Sequence, residues 1–337
     1  MNFKELLRGK FVLDSVWLLM AYSVVALSGI LINFVLGRFY GAEAIGIFNQ
    51  AYSFFQIFAV IGSLGVNFST VKHVAEYSAG KEEVRRIFSA SQFLTVAISL
   101  GVAIIVSLSA LAFPQLIPSG GVRKATIIII IALPFFVSNK NQWALLIGFR
   151  RMREYSSFRL IRWVSILIIV SLWSVFHFPV VYAVIAFPVT DIILSLVMHY
   201  VTRDFFSFRD MRSGWVGRHL NFGYKSSLTE VLSSLYVRLP VLMIGYYLSD
   251  RDAGMYSVAS TMASGILIIT STLQDNFNPI VAGNNNSSDR QQLISQTSQL
   301  RKFSMFSVIP LMLLSVVAYH IYIWFLGREY TETTVIF

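Results

Sequence analysis

Three ionisable side chains stand in the middle third of otherwise apolar runs: Lys140 in Val137-Ser-Asn-Lys-Asn-Gln-Trp143, Asp191 in Phe187-Pro-Val-Thr-Asp191, and Arg238 in Leu235-Tyr-Val-Arg-Leu-Pro-Val241. A charge at such depth is costly in a bilayer and ordinarily faces a partner or a wet cavity. Arg238 presents a planar fork of N–H donors that matches phosphate oxygens two at a time and keeps its charge when buried, so the chemistry it suits is holding an anion. The alternative for Arg238 is a structural ion pair with Asp191 or Glu230. Lys140 offers a second cation, whose long stem can also snorkel toward the interface near Arg150. Asn139, Asn141 and Gln142 flank Lys140 on several helix faces and require polar surroundings, which interhelical hydrogen bonds can supply. Asp191 and Glu230 could take up and release a proton or a sodium ion, or they could neutralise Arg238 and Lys140. Each of the three central charges has a proline nearby, at Pro134, Pro188 and Pro240. Proline removes a backbone hydrogen bond, so these helices are expected to bend beside the charges.

Other chemistry finds no residues to carry it. There is no cysteine, which excludes disulfides, thiolate nucleophiles and Cys-type metal sites. The five histidines, His73, His177, His199, His219 and His320, fall at or near the ends of apolar runs with no metal-binding spacing. Gly120-Gly121 is not followed by the Gly-Lys-Ser/Thr sequence of a phosphate loop. No catalytic set, metal or cofactor is expected.

The elements that must position these residues are apolar helices. The chain is 55% hydrophobic and 13% charged, against roughly 25% charged in soluble domains. About nine runs are long enough to cross a bilayer, at 11–37, 45–68, 88–113, 125–149, 160–177, 180–202, 225–248, 254–280 and 303–326. The turn around Gly46 returns around Gly254 with matching hydropathy on both sides, aligning Phe48 with Tyr256 and Ala51 with Ala259. A parallel repeat of several spans is how many transporters build two halves around a central site. Most of the 27 Lys and Arg fall in alternate loops, which places the N-terminus in the cytoplasm. The same asymmetry accounts for the net charge of +10 through attraction to anionic lipid, with no need of nucleic acid. The fold expected is an all-α polytopic membrane protein with an N-terminal six-helix lobe over 1–202, an amphipathic basic-aromatic cytoplasmic linker over 203–218, and a second lobe over 219–337.

The first loop, Leu36-Gly-Arg-Phe-Tyr-Gly-Ala-Glu-Ala-Ile-Gly-Ile-Phe-Asn49, the charged loop Lys81-Glu-Glu-Val-Arg-Arg86 and the late stretch Trp324-Phe-Leu-Gly-Arg-Glu-Tyr330 resemble bacterial polysaccharide exporters. These are the O-antigen and capsule repeat-unit flippases of the multidrug, oligosaccharidyl-lipid and polysaccharide exporter superfamily. The resemblance implies a two-lobed bundle in the bacterial inner membrane that moves lipid-diphosphate-linked oligosaccharide from the inner to the outer leaflet, in lipopolysaccharide or capsule synthesis. It also implies about three further spans beyond Phe337, so the second lobe is expected to be incomplete, with nine spans and the start of a tenth. Under it Arg238 and Lys140 would hold the diphosphate, and Asn139, Asn141 and Gln142 would meet sugar hydroxyls. A cation-coupled multidrug exporter of the same superfamily is the near alternative, although it suits a more acidic cavity. A membrane polymerase or ligase of polysaccharide assembly would need a sizeable polar outer loop, and every outer loop here is of ordinary connector length.

Overall fold

The computed structural model describes residues 10–211, 214–264, 316–327 and 329–331. Helix α1 (Lys10–Tyr40) is followed by α2 (Ala42–Ser63), with Gly41 at φ 85° making the turn between them. Then come α3 (Val66–Glu76), α4 (Lys81–Ala112), α5 (Gly120–Ile130), α6 (Leu133–Gly148) and α7 (Met152–Val175). A 3-10 segment, Val180–Ile185, leads into α8 (Ala186–Thr202). After two single 3-10 turns, the 33-residue α9 (Trp215–Tyr247) and α10 (Asp250–Ser264) follow, and α11 covers Val316–Leu326. The described residues are all-α, and six of these helices are long and apolar enough to cross a membrane, or seven if α5 and α6 form one bent span. The protein is a multi-pass membrane protein. The first seven expected spans each fall on described helices, the second and fourth running across a break between two of them, whereas the eighth is described only to Ser264 and the ninth only from Val316.

Burial ranks the helices. Two-thirds (67%) of the most apolar window of α2 is buried, against 28% for α1 and 17% for α9. α2 is therefore the central post, packed on α4 and α5 on one side and on α9 and α10 on the other. α1 instead lies along α7 and shows Leu13, Leu27 and Leu31 outward, as a lipid-facing helix can. Around α2 the core is aromatic. Tyr52 stacks on Phe187 at 5.1 Å between ring centroids, and Phe55 meets Phe136 at 5.3 Å.

One break falls beside a proline, as expected for Pro134, and another has no proline at all. α2 stops at Leu64 (φ 42°) and Gly65 (φ 67°), two consecutive left-handed residues. Glycine takes that conformation freely, while leucine there is strained by about 1–2 kcal/mol. α5 and α6 meet at 51°, with Pro134 in the first turn of α6, where its missing N–H would be unbonded anyway. Pro188 likewise occupies the first turn of α8, and α9 runs on through Pro240 as one helix. The stretch after Thr202 is also not one amphipathic helix. It forms the turns Arg203–Phe205 and Phe208–Asp210, tied to α4 by Arg85 Nε donating to Asp210 Oδ2 at 3.1 Å, and Trp215 already opens α9.

Candidate functional site

Ser226, Glu230, Ser234 and Arg238 recur every four residues on α9, so they share one face. That face looks onto α2 and α6 and is pinched at both ends by glycine. Toward the basic end, where Arg85, Arg86, Arg150 and Arg151 collect, a Cβ added at Gly223 would lie 2.5 Å from the Leu64 carbonyl oxygen. A Cβ at Gly65 would lie 2.3 Å from the Gly223 carbonyl oxygen. The left-handed break in α2 and the bare backbone of α9 thus touch directly. Toward the opposite end, a Cβ at Gly245 would come within 1.8 Å of Gln50 Oε1. Between these contacts lie roughly six turns of α9, about 30 Å.

Within that interval two charged contacts join α9 to the rest of the bundle. Lys140 Nζ of α6 pairs with Glu230 Oε1, and both side chains are part-buried, at 21% and 18% exposure. The second oxygen, Glu230 Oε2, is buried without a hydrogen-bond partner. Two turns farther along α9, the Arg238 guanidinium lies 5.0 Å from the centre of the Tyr52 ring, whose hydroxyl accepts a hydrogen bond from Gln56 Nε2 at 2.7 Å. Arg238 makes no ion pair among the described residues. It is a half-buried guanidinium resting on an aromatic face, with its N–H edge left for an acceptor.

Asp191 is elsewhere. Both its oxygens are taken by Arg162 of α7, Oδ1 by Nε at 2.7 Å and Oδ2 by Nη2 at 2.8 Å, with the pair wholly buried and the guanidinium 4.4 Å from the Phe136 ring centre. Asp191 therefore neutralises neither Arg238 nor Lys140. Uptake of a proton or sodium ion by Asp191 would have to break this pair, leaving the buried guanidinium uncompensated at a cost of about 3–5 kcal/mol. Arg162 falls inside the run 160–177, yet the loop charges beside it, Arg153 and Arg159, make it read as part of the cytoplasmic set. Its depth was the signal that could have marked it as a partner for Asp191.

The amides around Lys140 turn inward to the first lobe. Asn139 is fully buried and donates to the Asp191 carbonyl at 3.0 Å. Asn141 accepts from Thr70 Oγ1 at 2.8 Å and donates to Ser91 Oγ at 3.0 Å and Gln92 Oε1 at 2.9 Å, while Gln92 reaches Ser138 at 2.5 Å. Gln142 is 1% exposed. Asn139 and Asn141 thus tie α3, α4, α6 and α8 together, which gives these two a structural role in place of the expected contact with a ligand, while Gln142 is buried with Oε1 lacking a hydrogen-bond partner. Glu230 and Lys140 remain in the site as partners of each other.

The two ends of the interval are fastened differently. At the end opposite the basic one, the repeat-related Gly46 and Gly254 meet face to face. A Cβ on Gly46 would lie 1.7 Å from the Asp250 carbonyl oxygen and one on Gly254 would lie 1.9 Å from that of Ala42, each also 3.0 Å from the other glycine's nitrogen. The reciprocity is what a pseudo-two-fold between the repeats produces. Asn33 donates to Thr261 Oγ1 at 3.0 Å and Gln50 to Asp250 Oδ1 at 2.8 Å around it. At the basic end the fastening is by side chains. His219 places Nε2 3.0 Å from the Ile87 carbonyl, which can only accept, and Nδ1 2.9 Å from Ser69 Oγ. Trp215 Nε1 donates to Glu83 Oε1 at 2.7 Å, with Arg218 over its ring. Sequence reading overlooked His219, Tyr52 and Gln56, since ordinary residues at helix ends and in aromatic runs carry no mark of what they touch.

Among the described residues there is no cluster of three or more His, Asp or Glu able to hold a metal ion. What the arrangement brings to the facing helices is two cations, Arg238 and Lys140, and one acid, Glu230.

The fold has counterparts among known proteins. Solved structures of similar fold include the MATE multidrug transporter DinF-BH in a ligand complex, at 14% identity over 92% of this chain and 71% of that one, with a TM-score of 0.66. A MATE in complex with MaD5 follows at 16% identity, covering 93% and 73%, with a TM-score of 0.64. A MOP superfamily transporter from Pyrococcus furiosus, whose binding pocket has reverse polarity suggesting a different function, matches at 17% identity, 98% and 86% coverage, and a TM-score of 0.55. At these identities the likeness is one of fold. No curated protein matches the sequence. Residues 11–274 match the family of polysaccharide biosynthesis proteins, and over that length the match is decisive: the chain belongs to this family.

Proposed function

We propose that the protein exports polyprenyl-diphosphate-linked oligosaccharide across the bacterial inner membrane by alternating access, for lipopolysaccharide O-antigen or capsule synthesis. The observation that carries this reading is Arg238, a guanidinium in the site with an aromatic support and no carboxylate among the described residues. Two cations, Arg238 and Lys140, face one acid, Glu230, so the site favours a ligand of negative charge. Burial of the guanidinium is offset once the diphosphate supplies its charge. The basic end is cytoplasmic in this reading, with the N-terminus on that side, and anionic lipid holds it there. The lobes are residues 1–202 and 219–337, and residues 203–218 join them at the cytoplasmic face. Opening toward the cytoplasm then separates His219 from Ser69 and Ile87, and opening outward separates Gly46 from Gly254.

The second reading, cation-coupled export of drugs, rests on the multidrug transporters among the similar folds. Reconstituted vesicles distinguish the two. Inward-facing loading of a fluorescent polyprenyl-diphosphate sugar should give translocation that the same lipid as a monohydric alcohol does not, while a cationic rhodamine dye is left untransported. Dye transport without diphosphate-lipid transport sinks the proposal.

A further inference from the structure

We propose that the outer end of the molecule carries a second binding site, between the lobes, for a saccharide bearing a carboxylate, and that its occupant holds the outer side closed. The orientation and the choice of a saccharide rest on the export reading above. An open cavity of about 570 Å³, of a size ordinary for small-molecule sites, lies beside the end of α9 opposite the basic one. One wall is the connection from α4 into α5, with Pro114, Gln115, Pro118, Ser119 and Arg123, and the other is Tyr246 of α9. Both walls are fastened to α2 one turn or less from the lining. A Cβ at Gly121 would lie 2.9 Å from Ile47 Cδ1, and one at Gly245 would collide with Gln50 Oε1. Ile47 and Gln50 are three apart on α2, so one helix face sets the spacing of the two walls. Arg238 lies on the other side of the Gly245 contact, two turns of α9 or about 12 Å away, so the cavity is distinct from the central site.

The lining specifies the ligand. Arg123 is the one charged residue in it and makes no ion pair among the described residues, so an anion is favoured over a cation. Gln115, Ser119 and the Tyr246 phenol bring both donors and acceptors, which suits hydroxyl groups better than a bare anion. The Tyr246 ring and the two proline rings offer apolar faces against which the C–H groups of a pyranose can rest. A sugar ring with hydroxyls and a carboxylate, a uronic acid, satisfies all three, whereas inorganic phosphate or a lipid phosphate uses the guanidinium alone. The two walls belong to different lobes, so the site exists only while α9 lies against α2. Separation of Gly245 from Gln50, together with Gly46 from Gly254, carries Tyr246 away from Arg123. A ligand that binds one arrangement and not the other shifts the population toward it. Acidic saccharide accumulating outside thereby slows the next outward opening, and export is restrained by its own product.

The test uses the full chain in phosphatidylcholine nanodiscs titrated with digalacturonic acid, with neutral maltose and inorganic phosphate as controls. Binding should weaken roughly tenfold in R123A and about three- to tenfold in Y246A, through loss of the charged partner and of the ring face. R238A should leave it unchanged, and R123A should leave farnesyl diphosphate binding as in wild type. Maltose and phosphate should each bind wild type at least about tenfold more weakly than digalacturonate, since each meets only part of the lining. In a chain with N49C as its one cysteine, saturating digalacturonate should slow labelling by a membrane-impermeant maleimide, and should cease to do so once R123A is added. Digalacturonate that does not bind, that phosphate matches, or that binds R123A and Y246A as tightly as wild type overturns the outer site and leaves diphosphate binding at Arg238 standing. Binding that R238A abolishes places the saccharide in the central site and overturns it as well. Labelling that digalacturonate leaves unchanged overturns the claim that the occupant holds the outer side closed. Wild type that binds digalacturonate but not farnesyl diphosphate keeps the outer site and overturns the export reading.

Discussion

A guanidinium gripped by both oxygens of one carboxylate and shut away from water is a fixture of the fold, and Arg162 with Asp191 meets that description. Removing one charge, as in R162L or D191N, should lower the melting temperature in detergent sharply, since the loss is about 3–5 kcal/mol. Removing both with residues of similar volume, as in R162M/D191L, should recover most of it. Equal damage from single and double variants would contradict the structural assignment. Arg238 is placed differently: it rests half-buried on an aromatic face with no ion pair among the described residues, so R238A should insert and melt like wild type. In the sequence only Arg238 stands out, since Arg162 lies near the loop charges Arg153 and Arg159. Both stand inside apolar runs, and hydropathy says how deep each lies but not which way it points. Depth made Arg238, Lys140 and Asp191 legible as special. Direction separated Asp191 and Asn139 from the site, and a helix in a uniformly apolar bundle gives little periodic signal from which direction can be read.

At the scale of helices, the breaks control what can move. α2 turns at Leu64 and Gly65 where α9 presents Gly223, and backbone meets backbone with no room for a methyl group. G65A should therefore fail twice, through the left-handed φ and through collision with the Gly223 carbonyl, and should reduce folded yield. G223A adds only the collision and should be the milder of the two, as read by the folded fraction in size-exclusion chromatography. The opposite contact is a pair of repeat-related glycines. G254V should hold the Gly46 side apart, so that a cysteine introduced at Asn49, in a chain with no other cysteine, reacts faster with a membrane-impermeant maleimide from outside than it does in the wild-type background. Unchanged labelling would mean that this contact does not close the site. Helix existence and span limits were readable from hydropathy. The kinks were legible only in part: the 51° bend between α5 and α6 falls beside Pro134 as expected, whereas α9 runs on through Pro240 and the break at Leu64 and Gly65 has no proline.

For the whole molecule, the internal repeat was visible in sequence as the correspondence of Gly46 with Gly254, and in three dimensions the same two residues touch. Repetition alone told that the halves are alike. That their equivalent turns lie on a common axis is a property of the packing, which no pairwise alignment of the halves contains. The orientation follows from charge, and it is checked by reporter fusions: those after Gly80 and Arg151 should report cytoplasm, and those after Gly121 and Asp250 the outside. Two reversals among these four would turn the site map over. The claim on which the account stands is that Arg238 holds the anionic head of the substrate between the lobes. It is tested most directly by titrating farnesyl diphosphate into wild type, R238K and R238A in nanodiscs. Loss of a hydrogen-bonded charge partner should weaken binding roughly ten- to a hundredfold in R238A, with R238K between the two because a point charge loses the bidentate match. If R238A binds as tightly as wild type while remaining folded, Arg238 is not the ligand's anchor and the account is wrong at its centre.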